Sequence, residues 1–275
     1  MSQPEPGSAA ETYEEYFVPA MFVPWARMLL RHASLQPGER VLDVACGTGI
    51  VARLAAPLVG SNGQVTAVDI NPAMLKVALA NPAPSGAMIH WQEGNAGALP
   101  FPDAAFDVVL CQHGLQFFPD RASAVREMRR VLAPSGRALV IVLQALGRHP
   151  VFEALVESAA RHLSLPISAV MTPFALFDAD ELRGLFMDAG FGRVDVSPEA
   201  VTVRFPEPER FVPLAFMSSA AAVPAFARLA APAKKALLET VCAEMEPTVR
   251  KYREADFVTF PMFAHVARAT AQVLL

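Results

Sequence analysis

The chain has 275 residues, of which 53% are hydrophobic and 18% charged, and its formal net charge is -4 at pH 7. This composition is typical of a folded protein with a large core and excludes an intrinsically disordered chain. Its lysines and arginines occur at most in pairs or triplets, so we do not expect nucleic acid as a partner.

Several features indicate a cytoplasmic protein. The acidic N-terminus lacks the positive segment that precedes the apolar run of a signal peptide. Residues 214–233 form the most apolar long stretch, but an arginine and several prolines interrupt it, so we expect no membrane span and no membrane partner. Cys46, Cys111 and Cys242 are far apart in the sequence, which predicts neither a metal site nor a disulfide framework.

The first elements are predicted to be helical. Residues 11–33 carry apolar side chains at helical spacing, and Pro19 and Pro24 are expected to divide this segment into two or three short helices. A turn at 36–39 then leads into the first strand, and the apolar run that ends at Val44 predicts that this strand is buried.

Two features after the first strands predict a site for an adenosine-containing cofactor. Gly47 and Gly49 follow the first strand, where glycine permits a positive φ or a close approach of backbone to ligand. The second strand, 65–69, ends in Asp69, which lies 20 residues past Gly49. Nucleotide-binding βαβ units place a ribose-binding carboxylate at about this distance.

The remaining elements alternate between helices and strands. Predicted helices cover 51–59, 73–80, 121–132 and 178–189, and predicted strands cover 87–92, 106–111, 137–143, 193–205 and 259–269, with a turn at 134–136 and an interruption at Pro198. The early strands are almost continuously apolar, as expected for parallel strands covered on both faces. We predict an α/β fold with a doubly wound, mostly parallel, seven-stranded Rossmann-like sheet and a helical cap.

The predicted organisation separates a core from a cap. The cofactor-binding core comprises 35–143, a helix and strand in 178–205, and a last strand in 257–275. The cap comprises an N-terminal segment, 1–34, and two insertions, 144–177 and 206–256. Both insertions should emerge near the carboxyl edge of the sheet, where open α/β folds bind their ligands.

Five segments in order carry a family resemblance. Gly47-x-Gly49-x-x-Ala52 alone fits dinucleotide enzymes as well. The segments 41–49 (VLDVACGTG), 69–75 (DINPAML), 94–103 (GNAGALPFPD), 106–109 (FDVV) and 126–137 (REMRRVLAPSGR) together resemble class I S-adenosylmethionine-dependent methyltransferases. The subgroup that they resemble is that of the ubiquinone/menaquinone biosynthesis methyltransferases, strongly over about residues 35–145 and weakly elsewhere.

The resemblance implies S-adenosyl-L-methionine as the cofactor and assigns roles to residues around it. Asp43 would support the loop and the methionyl amine, Asp69 would accept hydrogen bonds from both ribose hydroxyls, and Asn95 would contact the adenine amino group in place of the family's usual aspartate. The other predicted cofactor-binding residues are Ala45, Cys46, Gly47, Thr48, Gly49, Ile70, Met74, Ala96, Gln112, Tyr16 and Phe17.

The segment after the fourth strand is expected to face the reaction centre. His113 is the predicted general base, because imidazole titrates near neutrality; the alternative is a histidine that satisfies loop backbone. Gln116, Trp25 and His149 are the predicted acceptor-binding residues. The aromatic side chains of Tyr13, Tyr16, Phe17 and Trp25 could close over the sulfonium, since aromatic faces stabilise cations, or they could form ordinary helix core.

The predicted function is transfer of a methyl group to a small, apolar, aromatic or polyketide-like acceptor in specialised metabolism. Three alternatives stay open: C-methylation of a quinone precursor, a non-methylating reaction such as a cyclisation on the same fold, and a nicotinamide-dependent reductase. The reductase is disfavoured because no Tyr-x-x-x-Lys pair follows the fourth strand. We expect a small-molecule partner, and the sequence leaves a homodimer open.

Overall fold

The computed structural model describes residues 8–220 and 223–271. Three parts of the predicted segments lie outside the described residues. They are residues 1–7 of the N-terminal segment, 221–222 of the second cap insertion and 272–275 after the last strand.

A single sheet forms the centre of the molecule. Its strands are β1 Arg40–Val44, β2 Gln64–Asp69, β3 Ile89–Glu93, β4 Phe106–Gln112, β5 Leu132–Leu143, β6 Phe191–Pro206, β7 Arg253–Glu254 and β8 Phe257–Ala271. The order is β3-β2-β1-β4-β5-β8-β6, and the two-residue β7 pairs with β8. Strands β1 to β5 are mutually parallel, whereas β8 runs antiparallel to both β5 and β6. This topology confirms the predicted seven-stranded, mostly parallel sheet, to which β7 adds a short eighth strand.

Helices cover both faces of this sheet. They are α1 Ala9–Thr12, a π-helix Tyr13–Phe22, α2 Val23–Ala33, α3 Ile50–Val59, α4 Pro72–Ala80, α5 Arg121–Val131, α6 Pro150–Leu163, α7 Ala179–Asp188, α8 Pro208–Ala220, α9 Pro224–Ala227 and α10 Ala231–Lys251. Helix α7 begins as predicted, because the Asp178 side chain accepts hydrogen bonds from the backbone N–H groups of Asp180 and Glu181. Helix α4 begins similarly at the Asn71 cap, with Pro72 in its first turn.

The N-terminal segment differs from the prediction of separate short helices. It is helical without interruption from Ala9 to Ala33, and Pro19 lies inside a ten-residue π-helix. A proline ring clashes with the carbonyl four residues earlier in an α-helix. The wider i→i+5 pattern of a π-helix offers a way to accommodate it. Pro24 lies in the first turn of α2, where its missing N–H costs no hydrogen bond.

Two strand predictions were wrong in detail. Pro198 does not interrupt β6, which pairs with β8 along its whole length, because β6 is an edge strand with one side free of a neighbour. Strand β5 begins at Leu132, before the turn predicted at 134–136. The turn residues lie in a register shift, since Phe106 pairs with Leu132 but Val108 pairs with Arg137.

The core lies in two apolar layers, one on each sheet face. Val41 belongs to the layer under α2 and α3, and its neighbour Leu42 to the layer under α5 and α7, because successive side chains of a strand point to opposite faces. Strands β6 and β8 pair from Phe191–Ala271 to Pro206–Phe257, whereas β5 ends opposite Ala264. The two long strands therefore project past the carboxyl edge of the parallel strands, where α8 and α10 join them.

Within the ranges given above, no helix combines the length and the apolar character needed to cross a lipid bilayer.

Candidate functional site

The loop between β1 and α3 is a tight turn with several left-handed residues. Ala45, Gly47 and Gly49 all have left-handed φ angles, of 56°, 55° and 86°. The Cys46 N–H donates to the Val68 carbonyl at 3.0 Å, which fixes the loop against the end of β2. Glycine tolerates this conformation, whereas Ala45 adopts it at a cost of about 1 kcal/mol. We call residues 45–49 the glycine loop.

Asp69 joins the glycine loop to the loop that follows β2. Its Oδ2 accepts from the Gly47 N–H at 2.7 Å, and its Oδ1 accepts from the Asn71 N–H at 2.8 Å. A carboxylate offers about four acceptor positions, so both oxygens can accept further donors. Beside it, Ile70 is 67% exposed and Met74 is half-buried. A carboxylate next to an exposed apolar side chain suits the ribose and the base of a nucleoside.

Asp43 lies beneath the glycine loop and is almost completely buried. Its Oδ2 accepts from the Ala52 N–H at 3.1 Å, so its carboxyl group supports the first turn of α3. The pKa of Asp43 is raised to about 8, mainly by burial and also by the charge of Asp69, against the opposing effect of the Ala52 hydrogen bond. Asp43 therefore binds a proton in the folded protein at neutral pH.

The raised pKa of Asp43 predicts a pH-dependent stability. The folded chain holds this proton between pH 3.8, the usual pKa, and about 8, whereas the unfolded chain has released it. This proton should therefore contribute a fall in the free energy of unfolding as the pH rises through this window, by at most about 1.4 kcal/mol per pH unit, whereas buried His113 contributes a rise below about pH 6.5. Asp43→Asn should remove the contribution of Asp43 and so make the slope more positive in urea unfolding measured from about pH 5 to about pH 8.

Asp107 provides the control for that measurement. The Arg40 guanidinium holds the pKa of Asp107 below its usual range, so Asp107 is ionised throughout the same window. Asp107→Asn should leave the slope unchanged, and an equal slope in wild type and Asp43→Asn would contradict the protonated state of Asp43.

The loop after β4 contacts the glycine loop directly. A Cβ added to Gly114 would lie 2.7 Å from the Cβ of Ala45. His113 has a left-handed φ of 51°, and its backbone N–H donates to the Ile141 carbonyl at 2.9 Å. Its ring lies edge-on to Phe22 and Trp25, with centroids 6.1 and 5.4 Å away. Burial among these rings lowers the pKa of His113 to about 3, with a small contribution from His149.

Buried polar atoms without partners concentrate around this loop. Among the residues that the structure describes, both His113 ring nitrogens, Gln112 Oε1, Gln116 Oε1 and Trp25 Nε1 are buried without a hydrogen bond. Each such atom costs about 1–3 kcal/mol unless a ligand or water satisfies it. The side-chain Nε2 of Gln112 does have a partner, since it donates to the Phe22 carbonyl at 3.2 Å. The region is thus apolar in its walls and polar in a few atoms, as expected of a ligand site.

The π-helix covers the glycine loop. A Cβ added to Gly47 would lie 3.9 Å from both the ring and the hydroxyl oxygen of Tyr13. Burial, together with the charges of Asp69 and Glu14, raises the pKa of the Tyr13 phenol, so the hydroxyl stays protonated. Tyr13 was one of the aromatic residues predicted to close over the cofactor, and it is the one that lies over the loop.

Tyr16 and Phe17 differ from their predicted positions. The Tyr16 hydroxyl donates to the Pro206 carbonyl at 2.9 Å, and its ring stacks on Phe205 at 5.7 Å. Phe17 packs between Tyr13 and Phe205, with centroids 6.5 and 6.0 Å away. The π-helix changes the angle between successive side chains, so residues three apart no longer share a face as they do in an α-helix.

His149 also has a different position from the one predicted for an acceptor-binding residue. Its Nδ1 lies 3.1 Å from the Ala145 carbonyl, and its Nε2 accepts from the Phe263 N–H at 3.0 Å. Both nitrogens are thus used by backbone, and the buried ring fastens the start of α6 to β8. Trp25, the other predicted acceptor contact on a helix, is fully buried against His113.

The loop after β3 is organised by Asn95. Its Oδ1 accepts from the Gly97 N–H at 2.8 Å, and its backbone pairs with Ala98. The oxygen that was predicted to contact adenine therefore already forms a local turn, although an amide oxygen retains a second lone pair. Asn95 is exposed and Ala96 half-buried at this end of the sheet.

Three further residues shape the site and have no signature in the sequence motifs. Trp91 on β3 packs on Gly49, since a Cβ added there would lie 2.2 Å from its ring. Arg53 on α3 pairs with Glu14 on the π-helix at 2.6 Å and also donates to the carbonyl of Thr48, whose hydroxyl is buried and unpaired among the described residues. The one signal in the sequence for this contact is the position of Arg53, four residues after Gly49, which places it one helical turn from the glycine loop.

Residues 42–140 match a family model described as a methyltransferase domain. A ubiquinone/menaquinone biosynthesis C-methyltransferase from Shewanella sediminis is 34% identical over 185 residues, which span 62% of this chain and 73% of that protein. A 2-phytyl-1,4-naphtoquinone methyltransferase from Synechococcus elongatus is 43% identical over 119 residues, or 42% of this chain and 51% of that protein.

Solved structures show the same fold at lower identity. A Haemonchus contortus phosphoethanolamine N-methyltransferase 2, in complex with phosphomonomethylethanolamine and S-adenosylhomocysteine, has a TM-score of 0.58 at 20% identity, covering 96% of this chain and 57% of that one. The cyclase SpnF has a TM-score of 0.53 at 20% identity, covering 91% and 81%. The fold is therefore shared by proteins of different activity, and it does not identify an acceptor.

Proposed function

The chain belongs to the class I S-adenosylmethionine-dependent methyltransferases, and from that premise we propose that it methylates a small, apolar acceptor of aromatic or polyketide-like character. The observation that carries this proposal is the contact between the glycine loop and the loop after β4. There, the ring of His113 lies beside the aromatic rings of Phe22 and Trp25, and its two nitrogens, with the side-chain oxygens of Gln112 and Gln116, are buried without a partner among the described residues. Apolar walls suit the body of such an acceptor, and the few polar atoms suit its hydroxyl or carbonyl groups.

The residues around Asp69 fit S-adenosylmethionine. Gly47 and Gly49 have the left-handed φ that lets backbone approach a ligand closely, and Asp69 has acceptor capacity left for the ribose hydroxyls. The exposed side chain of Ile70 offers an apolar surface for adenine. When bound, this cofactor supplies a methyl group that its sulfonium already activates. The chain must then align the acceptor and exclude water.

The N-terminal segment suits the task of excluding water. Tyr13 closes the glycine loop from the side of the π-helix, and Phe22 and Trp25 enclose His113. The aromatic face of Tyr13 would stabilise a cation in this crevice. Of the four aromatic residues that the sequence suggested for this contact, Tyr13, Tyr16, Phe17 and Trp25, we therefore assign it to Tyr13.

His113 is better suited to orienting an acceptor than to holding its proton. An imidazole whose pKa lies near 3 is neutral at neutral pH, and its conjugate acid is too strong to retain a transferred proton. A neutral His113 carries a proton on one ring nitrogen, so it can donate from that nitrogen to the oxygen of an ionised acceptor and can accept from a hydroxyl only at the other. An acceptor that binds already ionised needs no base in this dry site, which favours acidic phenols and enols over aliphatic alcohols.

Replacement of His113 tests this role. His113→Ala should lower kcat by about ten- to a hundredfold, the loss expected for one orienting hydrogen bond in a dry site. The Kd for S-adenosylhomocysteine should change by less than about twofold, since the proposed hydrogen bond of His113 goes to the acceptor. The wild-type pH profile of kcat/KM should show no inflection near 6.5. An inflection there that disappears in His113→Asn would instead support the general-base role.

Label transfer tests the proposed function as a whole. The purified chain is incubated with S-adenosylmethionine that carries an isotopically labelled methyl group, together with unprenylated phenols, enolic polyketide fragments and a prenylated hydroquinone. We expect labelled product from phenols or enols. Labelled product from the prenylated hydroquinone alone would favour C-methylation of a quinone precursor, the reaction in the name of the Shewanella sediminis relative. A changed product without label would favour a cyclisation.

A further inference from the structure

A single guanidinium connects the π-helix to the glycine loop. Arg53 projects from the first turn of α3, and its Nη2 donates to Glu14 Oε1 at 2.6 Å. Its Nη1 donates to the carbonyl of Thr48 in the glycine loop. Glu14 directly follows Tyr13 in the π-helix, so the contact joins the segment that lies over the loop to the loop itself.

The burial of this contact gives it energetic weight. The side chains of Arg53 and Glu14 are 14% and 17% exposed, whereas both side chains of the pairs Arg183–Asp180, Arg193–Asp195 and Arg250–Glu246 are more than 40% exposed. Exposed ion pairs contribute little, whereas a half-buried charge that loses its partner stays desolvated and uncompensated. Movement of the π-helix away from the glycine loop would leave Arg53 without its carboxylate partner. The pair therefore favours the closed arrangement.

The geometry requires an arginine. The planar guanidinium presents donors in fixed directions and can bond a carboxylate and a carbonyl at the same time. A lysine carries a single compact charge and can retain the attraction to Glu14, but it cannot reproduce the two hydrogen bonds of the guanidinium in their fixed directions. The contact to Thr48 sets the backbone of the glycine loop, and the contact to Glu14 sets the height of Tyr13 above Gly47.

We propose that Arg53 is a positioning residue for the cofactor, holding the π-helix closed over the glycine loop through Glu14 and Thr48. This rests on the proposed function, in which S-adenosylmethionine binds between the π-helix and the glycine loop. Arg53 acts through Tyr13 and the loop backbone and does not itself take part in methyl transfer. Loss of Arg53 should therefore affect cofactor retention more than the chemical step.

The chain contains a matched control for this contact. Arg137 on β5 pairs with Glu39 at 2.7 Å, and these side chains are also 14% and 17% exposed. Like Arg53, Arg137 bonds a backbone carbonyl, that of Ala33, at 2.6 Å. Arg137 lies in the half of β5 nearer its amino end, away from the glycine loop. Substitutions in the two pairs should lower stability alike and differ only in their effect on the cofactor.

The experiment compares Arg53→Gln, Glu14→Gln and Arg53→Lys with Arg137→Gln and Glu39→Gln. Titration calorimetry gives the Kd for S-adenosylhomocysteine, and steady-state kinetics give KM for S-adenosylmethionine and kcat. We expect Arg53→Gln to raise Kd and KM about tenfold, Glu14→Gln to raise them less, and kcat to change less than about threefold in both. Arg53→Lys should restore part of the affinity, and the control variants should bind like wild type.

Each other outcome has a defined meaning. Failure of the wild type to bind S-adenosylhomocysteine would overturn the cofactor site and the proposed function together. Normal binding by wild type and by Arg53→Gln alike would overturn only the role of Arg53. Equal losses in Arg53→Gln and Arg137→Gln would also overturn it, since general loosening would explain both. If Arg53→Gln fails to fold, the comparison of Glu14→Gln with Glu39→Gln decides, and equal Kd values in that pair would overturn the proposal.

Discussion

Asp69→Ala is expected to weaken binding of S-adenosylhomocysteine by about 1–3 kcal/mol, or roughly ten- to a hundredfold in Kd. The substitution would remove the acceptor for the ribose hydroxyls. It would also release the Gly47 N–H, now held at 2.7 Å, and the Asn71 N–H, held at 2.8 Å. Both the lost acceptor and the released backbone should weaken binding, because Asp69 binds the ribose and also holds the glycine loop that contacts the cofactor. Isothermal titration measures the change.

Asp178→Ala is the control for this experiment. Asp178 also accepts two backbone N–H groups, those of Asp180 and Glu181, at 2.8 and 3.0 Å. Its loss should destabilise the start of α7 by about 1 kcal/mol and leave the affinity for S-adenosylhomocysteine unchanged. Asp69→Asn should fall between wild type and alanine, since the amide keeps one acceptor oxygen. Wild-type affinity in Asp69→Ala would remove this residue from the cofactor site.

Gly49→Ala should lower the free energy of unfolding by about 2–4 kcal/mol. Two causes contribute. The φ of 86° is unfavourable for any residue with a Cβ, and that Cβ would lie 2.2 Å from the ring of Trp91. Because Gly49 begins α3 and ends the glycine loop, cofactor affinity should fall as well. Urea unfolding measures the stability change.

Gly38→Ala separates the two causes. Gly38 has nearly the same φ, 88°, but no atom within 4 Å of the added Cβ among the described residues. It should therefore cost only the conformational part, about 1–2 kcal/mol. The steric part should be relieved in Gly49→Ala/Trp91→Leu relative to the sum of the two single variants. Strict additivity of those variants would show that the indole does not set the requirement for glycine.

The sequence predicted those parts of the site that lie at the ends of strands. The first two strands are short apolar runs that end at the same edge of a parallel sheet, so the glycine loop and Asp69 had to lie close together. The order of the five motif segments added the cofactor. The start of α7 depends on a local rule, the capping of a helix by an aspartate, and the predicted start of that helix at Asp178 was correct.

The sequence did not predict the features that depend on tertiary packing. Proline breaks an α-helix by local sterics, so a π-helix around Pro19 could not be foreseen, and neither could the packing of Tyr16 and Phe17 on Phe205. The sequence does not show whether His149 binds an acceptor or the backbone. In the structure its ring accepts a hydrogen bond from the Phe263 N–H, which is distant in the sequence. Arg53 and Glu14 are 39 residues apart, and no periodicity links them.

Pro198 has a consequence for how copies of this chain can associate. Strand β6 is the outermost strand beyond β8, and an open edge of this length invites pairing with the edge of another molecule. Proline removes one hydrogen-bond donor from the middle of that edge, so a continuous intermolecular sheet cannot form across it without a gap. We therefore expect Pro198 to oppose the pairing of two copies of the chain along β6.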